Sequence, residues 1–401
     1  MRRRWAVTAS ASWWGTACEL HASASAAYTP PCHSPGTGGR GTESGPMTAP
    51  VRQETRNYNA SVPSADDLVR LHLSESPYGA SPAAVAAVTG ELERINRYPA
   101  PGREGLVQAL ARHWELPEEH IAVANGSDEL VLATALTLGD PGSPGLVTAG
   151  TFPGYLAALE RIGRGAVQVP LAGSGTDTAA FADRLPGCGI GYVCNPHNPC
   201  GSALTHDELH RLVAAARDSG TPLVFDEAYH EFGPPAQPQA RTHLREDTPV
   251  LALRTFSKAY GLAALRIGYA LGPADLIAEV RRTLTVLPFS VNRAAQAAAL
   301  AALDDQEFLG SVRRDSAARR QWFCAELERR GYRYLPSVTN FVAVEVAASA
   351  EAQDVLARDH GILVRDTGMF GFPGHLRVSL GSVEELRGFL DALDRVTAGS
   401  R

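Results

Sequence analysis

From residue 120 onward the chain alternates short apolar runs with helical patterns, an order that few architectures accept. IAVA (121–124), GLVTA (145–149), AVQVPL (166–171), IGYVC (190–194), PLVFD (222–226), VLALRTF (250–256) and RIGYAL (266–271) read as strands. SDELVLATALTL follows the first of them as a helix. THDELHRLVAAARDSG is a second helix, opened by the Thr205 and Glu208 capping box and stopped at Gly220. Runs that are apolar at nearly every position, not at every second one, belong to strands buried on both faces. The pattern therefore predicts an α/β fold: a mostly parallel, seven-stranded sheet in a large domain, with helices on both sides. The last hundred residues change character. Long helices around 293–330 precede NFVAVEV, GILVRD and HLRVSL as strands, and a final helix opens on Ser382 with Glu385. This predicts a smaller α+β domain over 291–401, a large domain over 91–290 and an arm over 56–90 that joins the small domain.

Residues 1–55 stand apart as an extension. The first 46 are rich in Ala, Ser, Gly and Pro without apolar periodicity, and Met47 opens a stretch that reads like an ordinary start. The segment reads as disordered or non-native, with a cleaved leader as the alternative for its basic start. Elsewhere composition excludes several classes. A net charge of −6 argues against bulk attraction to nucleic acid or anionic membrane. No apolar run reaches the roughly 18 residues a membrane-spanning helix needs. The six cysteines form no C-x-x-C pair, which predicts a reducing, cytoplasmic setting and no metal site.

In a parallel α/β sheet, ligands bind beyond the carboxyl ends of the strands. Here those ends carry NGSDE, TFPGY, NPHNPCG, DEAYHEF and SKAYGLAALR. The last contains Lys258, the one lysine among 37 lysines and arginines. Arginine replaces lysine wherever charge suffices, but it cannot lose a proton and attack a carbonyl. A Schiff-base lysine explains its survival better than chance does. Asp226 ends an apolar strand, where a carboxylate is costly unless it meets a cation or a donor. Pyridoxal 5'-phosphate needs such a group to keep its ring nitrogen protonated; a helix cap is the plainer reading of the aspartate alone. Tyr229 and Asn198 could hold the phenolate oxygen of that ring, or serve as a packed aromatic and a turn residue. Gly126, Ser127 and Asp128 open a helix directly after a strand, where N–H groups suit a phosphate. Ser257 and Arg266 flank the lysine and could complete the cradle. Phe152 could stack on the ring or belong to the core.

Together these motifs resemble the class I/II, fold-type-I aminotransferases, and within them the histidinol-phosphate aminotransferase branch. RYPAPGREGL, VANGSDE, NPHNPCG, VFDEAYHEF, RTFSKAYGLAALRIGY and VRDTGMFGFPGHLRVSLGS carry the resemblance, across about residues 68 to 395. It implies pyridoxal phosphate on Lys258, which also shuttles the proton; Asp226 on the ring nitrogen; Asn198 and Tyr229 on the ring oxygen; and Phe152 on the ring face. It implies Ser127, Ser257 and Arg266 on the phosphate, with Tyr98 reaching in from a second subunit of a homodimer. Arg377 would take the substrate α-carboxylate, and Arg365 a distal phosphate or else a surface ion pair. The chain departs from the branch at LHLSESP, where Ser74 and Ser76 replace asparagines, and at Cys200, which replaces a threonine. Those changes make a paralogue acting on another amino acid as reasonable as the histidine-pathway step.

The expected function is transfer of an amino group between an amino acid, or an amino-alcohol phosphate such as histidinol phosphate, and a 2-oxo acid. A decarboxylase resembling the threonine-phosphate branch is the alternative, because sequence does not fix which bond at the substrate Cα breaks. A cofactor-binding sensor would need a DNA-binding unit, and no helix-turn-helix pattern occurs in the extension.

Overall fold

The computed structural model describes residues 68–398; the expected extension and the first part of the arm lie outside the described residues. In chain order the arm supplies β1 (Val69–Arg70) and α1 (Pro82–Glu91), followed by α2 (Glu104–Trp114). Next come β2 (Ile121–Ala124), α3 (Ser127–Thr137), β3 (Gly145–Thr148), α4 (Gly154–Arg161) and β4 (Ala166–Val169). A two-stranded hairpin, β5 (Leu171–Ala172) and β6 (Gly175–Thr176), leads to α5 (Thr178–Arg184). Then follow β7 (Ile190–Cys194), α6 (His206–Ser219), β8 (Leu223–Asp226), β9 (Val250–Thr255), β10 (Gly268–Leu271) and α7 (Ala274–Leu284). The remainder is α8 (Arg293–Asp304), α9 (Gln306–Arg329), β11 (Phe341–Glu345), α10 (Ser349–His360), β12 (Ile362–Leu363), β13 (Arg365–Asp366), β14 (His375–Ser379) and α11 (Val383–Ala398).

Seven strands form the large sheet in the order β2-β10-β9-β8-β7-β3-β4, and β10 alone runs antiparallel to its neighbours. Strand periodicity explains the burial on both faces. In β8, Leu223 and Phe225 enter one apolar cluster, whereas Val224 enters the cluster on the opposite face. Asp226 follows Val224 in phase, so it projects on the same side. Its strand neighbours in register are Cys194 and Leu253. The helices cover these faces for legible reasons. α6 turns Leu209, Leu212, Val213 and Ala216 inward at helical spacing. Its capping box is complete, with Thr205 and Glu208 each satisfying the other's backbone N–H. The apolar run 166–171 stops at Val169 because Pro170 lacks the N–H that a ladder needs.

The small sheet has the order β11-β14-β13, antiparallel throughout. β1 pairs in parallel with β12, Val69 opposite Ile362 and Arg70 opposite Leu363, which ties the arm to this unit. The apolar clusters bear on the region around the boundary expected at residue 291. Ala295, Ala298 and Ala302 of α8, with Leu309 and Val312 of α9, pack into the large-domain cluster. Phe323 and Leu327, further along α9, pack into the small-domain cluster. The apolar cores therefore part within α9, because that helix is long enough to lend its two halves to different cores.

Candidate active site

The loops at the carboxyl ends of the parallel strands meet at one edge of the large sheet, where antiparallel β10 begins. Asp226 lies there and is 5 % exposed. Its carboxylate Oδ2 accepts from the Tyr155 hydroxyl at 2.7 Å, and Oδ1 accepts from the Ala228 N–H at 3.2 Å. Burial pushes its pKa up to about 6, and these two donors limit the rise. Burial, then the Asp226 charge, raises the Tyr155 phenol well above its ordinary value, so it remains a donor. Tyr155 is fully buried, stacks on Tyr192 at 5.3 Å and meets Phe152 edge-on at 5.5 Å.

The next residue, Glu227, projects to the other face and is also buried. Its Oε2 pairs with Arg254 Nε at 2.8 Å, and Glu231 Oε1 takes Arg254 Nη1 at 3.0 Å. Gln239 Oε1 accepts from Nη2 at 2.9 Å. This network compensates the Glu227 charge beside the site and fixes the 226–231 loop.

Lys258 Nζ donates to the Leu73 carbonyl at 2.9 Å and sits 5.5 Å from the centre of the Tyr229 ring. Tyr229 is buried and meets Phe341 edge-on at 5.0 Å. Ser257, before the lysine, is buried with its N–H on Thr255 Oγ1.

Gly126 caps α3 without a side-chain acceptor, so the first N–H groups of Ser127 and Asp128 face outward from a helix start. Arg266 reaches over it: Nη1 lies 3.4 Å from Ser257 Oγ, and Nη2 pairs with Asp128 at 2.9 Å. Gly126 has φ +83°, and a Cβ there would lie 2.8 Å from Arg266 Nη2. A Cβ on Gly268 would lie 2.9 Å from the Ser127 nitrogen, so β10 and the helix start approach too closely for any side chain. The result is a cradle of helix N–H groups, a hydroxyl and a guanidinium. With a primary amine and a buried carboxyl nearby, this donor set fits an aldehyde-bearing pyridine phosphate.

Arg377 is 1 % exposed. Its Nη1 donates to Asn198 Oδ1 at 2.5 Å and its Nη2 to the His72 carbonyl at 2.7 Å. The bond to Oδ1 leaves Nδ2 as the donating end of the Asn198 amide. Phe341 and Phe370 each lie 5.2 Å from the guanidinium carbon. Directly opposite Arg377 in the β13–β14 register stands Arg365, also buried, with Nη1 3.5 Å from Met369 Sδ. Its burial removes the surface ion pair as a reading. Cys200 is buried, and burial pushes its thiol up to about 12, so it stays neutral. Ser76 caps a local turn against the Gly79 carbonyl. Tyr98 lies apart from this group, 78 % exposed and stacked on Phe289 at 4.5 Å.

Two participants escaped the sequence reading. Tyr155 stands three residues after Phe152 in TFPGY, one helical turn on, which was the available signal. The carbonyls of His72 and Leu73, which hold Arg377 and Lys258, left no signal because backbone groups carry no residue identity.

An amine, a buried carboxyl and an anion cradle at the carboxyl edge of a mostly parallel sheet define a pyridoxal-phosphate enzyme of the α/β type. The family model for aminotransferase class I and II matches residues 66–393. A histidinol-phosphate aminotransferase of Symbiobacterium thermophilum is 38 % identical over 330 residues, covering 82 % of this chain and 90 % of the relative. One from Sphingopyxis alaskensis is 37 % identical over 345 residues, covering 83 % and 91 %. The crystal structure of histidinol-phosphate aminotransferase from Sinorhizobium meliloti, in complex with pyridoxal-5'-phosphate, superposes with a TM-score of 0.74. It is 31 % identical and covers 83 % of this chain and 92 % of that one. The chain belongs to the class I and II aminotransferases, in the branch of these relatives. It is a pyridoxal-phosphate-dependent transaminase, and the relatives favour amino transfer over decarboxylation.

Proposed function

We propose that the protein moves an amino group between an amino donor that presents oxyanion oxygens to both buried arginines and a 2-oxo acid; glutamate does so with an α- and a distal carboxylate, and histidinol phosphate, which has no carboxylate, with its phosphate alone. The observation that carries this reading is the pair of buried guanidiniums facing each other, Arg365 opposite Arg377. Arg377 takes an α-carboxylate, or two phosphate oxygens of histidinol phosphate, with its two terminal nitrogens, exchanging the Asn198 and His72 oxygens for a bidentate partner. Arg365 takes the distal carboxylate, or the remaining phosphate oxygen. A donor that supplies oxygens to both guanidiniums engages them through charge-assisted hydrogen bonds.

Ser127, Ser257, Arg266 and the N–H groups after Gly126 would hold the cofactor phosphate, with the Asp128 carboxylate giving up Arg266 to it. Phe152 would cover the ring, and Asn198 Nδ2 and Tyr229 its oxygen. Asp226 would keep the ring nitrogen protonated, so that the cofactor supplies an electron sink for charge developing at the substrate Cα. Lys258 Nζ carries the proton from that carbon. The Leu73 carbonyl holds the amine at this position.

The reading extends to a homodimer. Leu92, Ile95, Tyr98, Val286, Leu287 and Phe289 are exposed apolar side chains, and Tyr98 stacks on Phe289. A second copy is the occupant that would give Tyr98 a cofactor to reach. Sedimentation should give twice the chain mass, with activity lost on dilution to monomer. Full activity in the monomer would remove Tyr98 from the site. No helix among the described residues is long and apolar enough to cross a membrane, and Cys188, Cys194, Cys200 and Cys324 are free thiols. Those thiols support the cytoplasm as the setting.

The test is a donor screen of wild type and Arg365→Ala. Loss of one hydrogen-bonded charge partner should raise KM for phosphorylated or acidic donors about tenfold or more, relative to alanine. Equal losses for all donors would end the distal-anion reading.

A further inference from the structure

The arm carries a histidine that the proposed reaction has not yet used. His72 is 3 % exposed, and among the described residues neither ring nitrogen has a hydrogen-bond partner. Buried imidazoles rarely stay unpaired, because each lost hydrogen bond carries a desolvation cost of about 1–3 kcal/mol. The surroundings make this ring informative. β1 runs parallel to β12, and Leu71 continues the pairing by donating to the Leu363 carbonyl at 2.8 Å. Extending that register from Arg70 opposite Leu363 by two residues places His72 alongside Arg365. Its own carbonyl takes Arg377 Nη2 at 2.7 Å. The backbone on either side is pinned, since the Ser379 N–H donates to the Leu71 carbonyl and the Ser74 N–H to Ser379 Oγ. The backbone that carries His72 is therefore held in place.

We propose that His72 is a specificity-determining residue of this site: its imidazole joins Arg365 in binding the donor oxyanion, carboxylate or phosphate, that this arginine takes. Burial, then the charges of Arg365, Arg70 and Arg377, lowers its pKa to about 3, so the ring is neutral near pH 7. A neutral imidazole offers one N–H donor and adds no third positive charge to the arginine pair. It accordingly contributes direction where the guanidiniums contribute charge. Phosphate and carboxylate both present the oxygen acceptors this requires, and the experiment separates them. The inference rests on the distal-anion reading above.

The experiment uses the holoenzyme, wild type, His72→Ala and His72→Gln, with three donors: histidinol phosphate, glutamate and alanine. The selectivity ratio, kcat/KM for an anionic donor over that for alanine, should fall about tenfold in His72→Ala, mostly through KM. His72→Gln, which keeps an N–H donor, should recover part of it. A fall confined to histidinol phosphate assigns the pocket to phosphate; a fall confined to glutamate assigns it to carboxylate. A ratio unchanged in both variants overturns the proposal, as does a loss equal for all three donors, which marks His72 as packing alone. Both outcomes differ from failure of the underlying reading, in which wild type itself shows no preference for anionic donors.

Discussion

Removing one hydroxyl, in Tyr155→Phe, isolates the carboxyl that this site depends on. Asp226 accepts two hydrogen bonds, and the Tyr155 bond at 2.7 Å is the shorter; the Ala228 N–H at 3.2 Å remains in the variant. The ring of phenylalanine keeps the stack on Tyr192 and the contact with Phe152, so packing is conserved. A hydrogen bond to a charged group is worth about 1.5–3 kcal/mol, and its loss would move the Asp226 midpoint up by about 1–2 pH units. Starting from about 6, the carboxylate is the majority form at pH 7 in wild type and falls to about half or less in the variant. An acid is ionised above its pKa, so pairing with a protonated ring nitrogen weakens as pH falls through that midpoint. The assay is pyridoxal phosphate affinity of the apo-protein between pH 5 and 8, read by absorbance. The cofactor phosphate also titrates near pH 6, identically for both proteins, so the displacement between the two curves is the informative quantity. Weakening should begin about 1 pH unit or more higher in the variant. Superimposable curves would refute the idea that Tyr155 tunes Asp226.

Two further outcomes follow from contacts described above. Gly126→Ala puts a methyl 2.8 Å from Arg266 Nη2 at a φ of +83°, and should weaken cofactor binding about tenfold, as titration would show, and cost about 1–3 kcal/mol in denaturant unfolding. Arg254→Ala leaves Glu227 and Glu231 buried without their cation and should cost about 3–5 kcal/mol in denaturant unfolding. Adding Glu227→Gln to that variant should restore part of the loss.

The strands of the large sheet were legible because each is apolar at consecutive positions, and the structure places helices on both faces as that requires. Their ends were less so. Arg266 reads as part of a strand but adopts a left-handed backbone, φ 53°, and β10 begins two residues later. Which apolar cluster α8 and each half of α9 join was not legible, because their helical pattern is the same whichever core they serve. Lys258 and Asp226 declared themselves through chemistry that arginine or an apolar residue cannot supply. The Tyr155–Asp226 bond and the His72–Arg377 contact were not legible, since they join elements whose adjacency only strand order and register determine.

Attachment of the cofactor at the single lysine can be measured directly. Borohydride reduction of the cofactor-loaded protein, followed by peptide mass mapping, should recover a pyridoxyl adduct on the peptide that contains Lys258. An unmodified Lys258 in protein that has bound pyridoxal phosphate would contradict the account at its root.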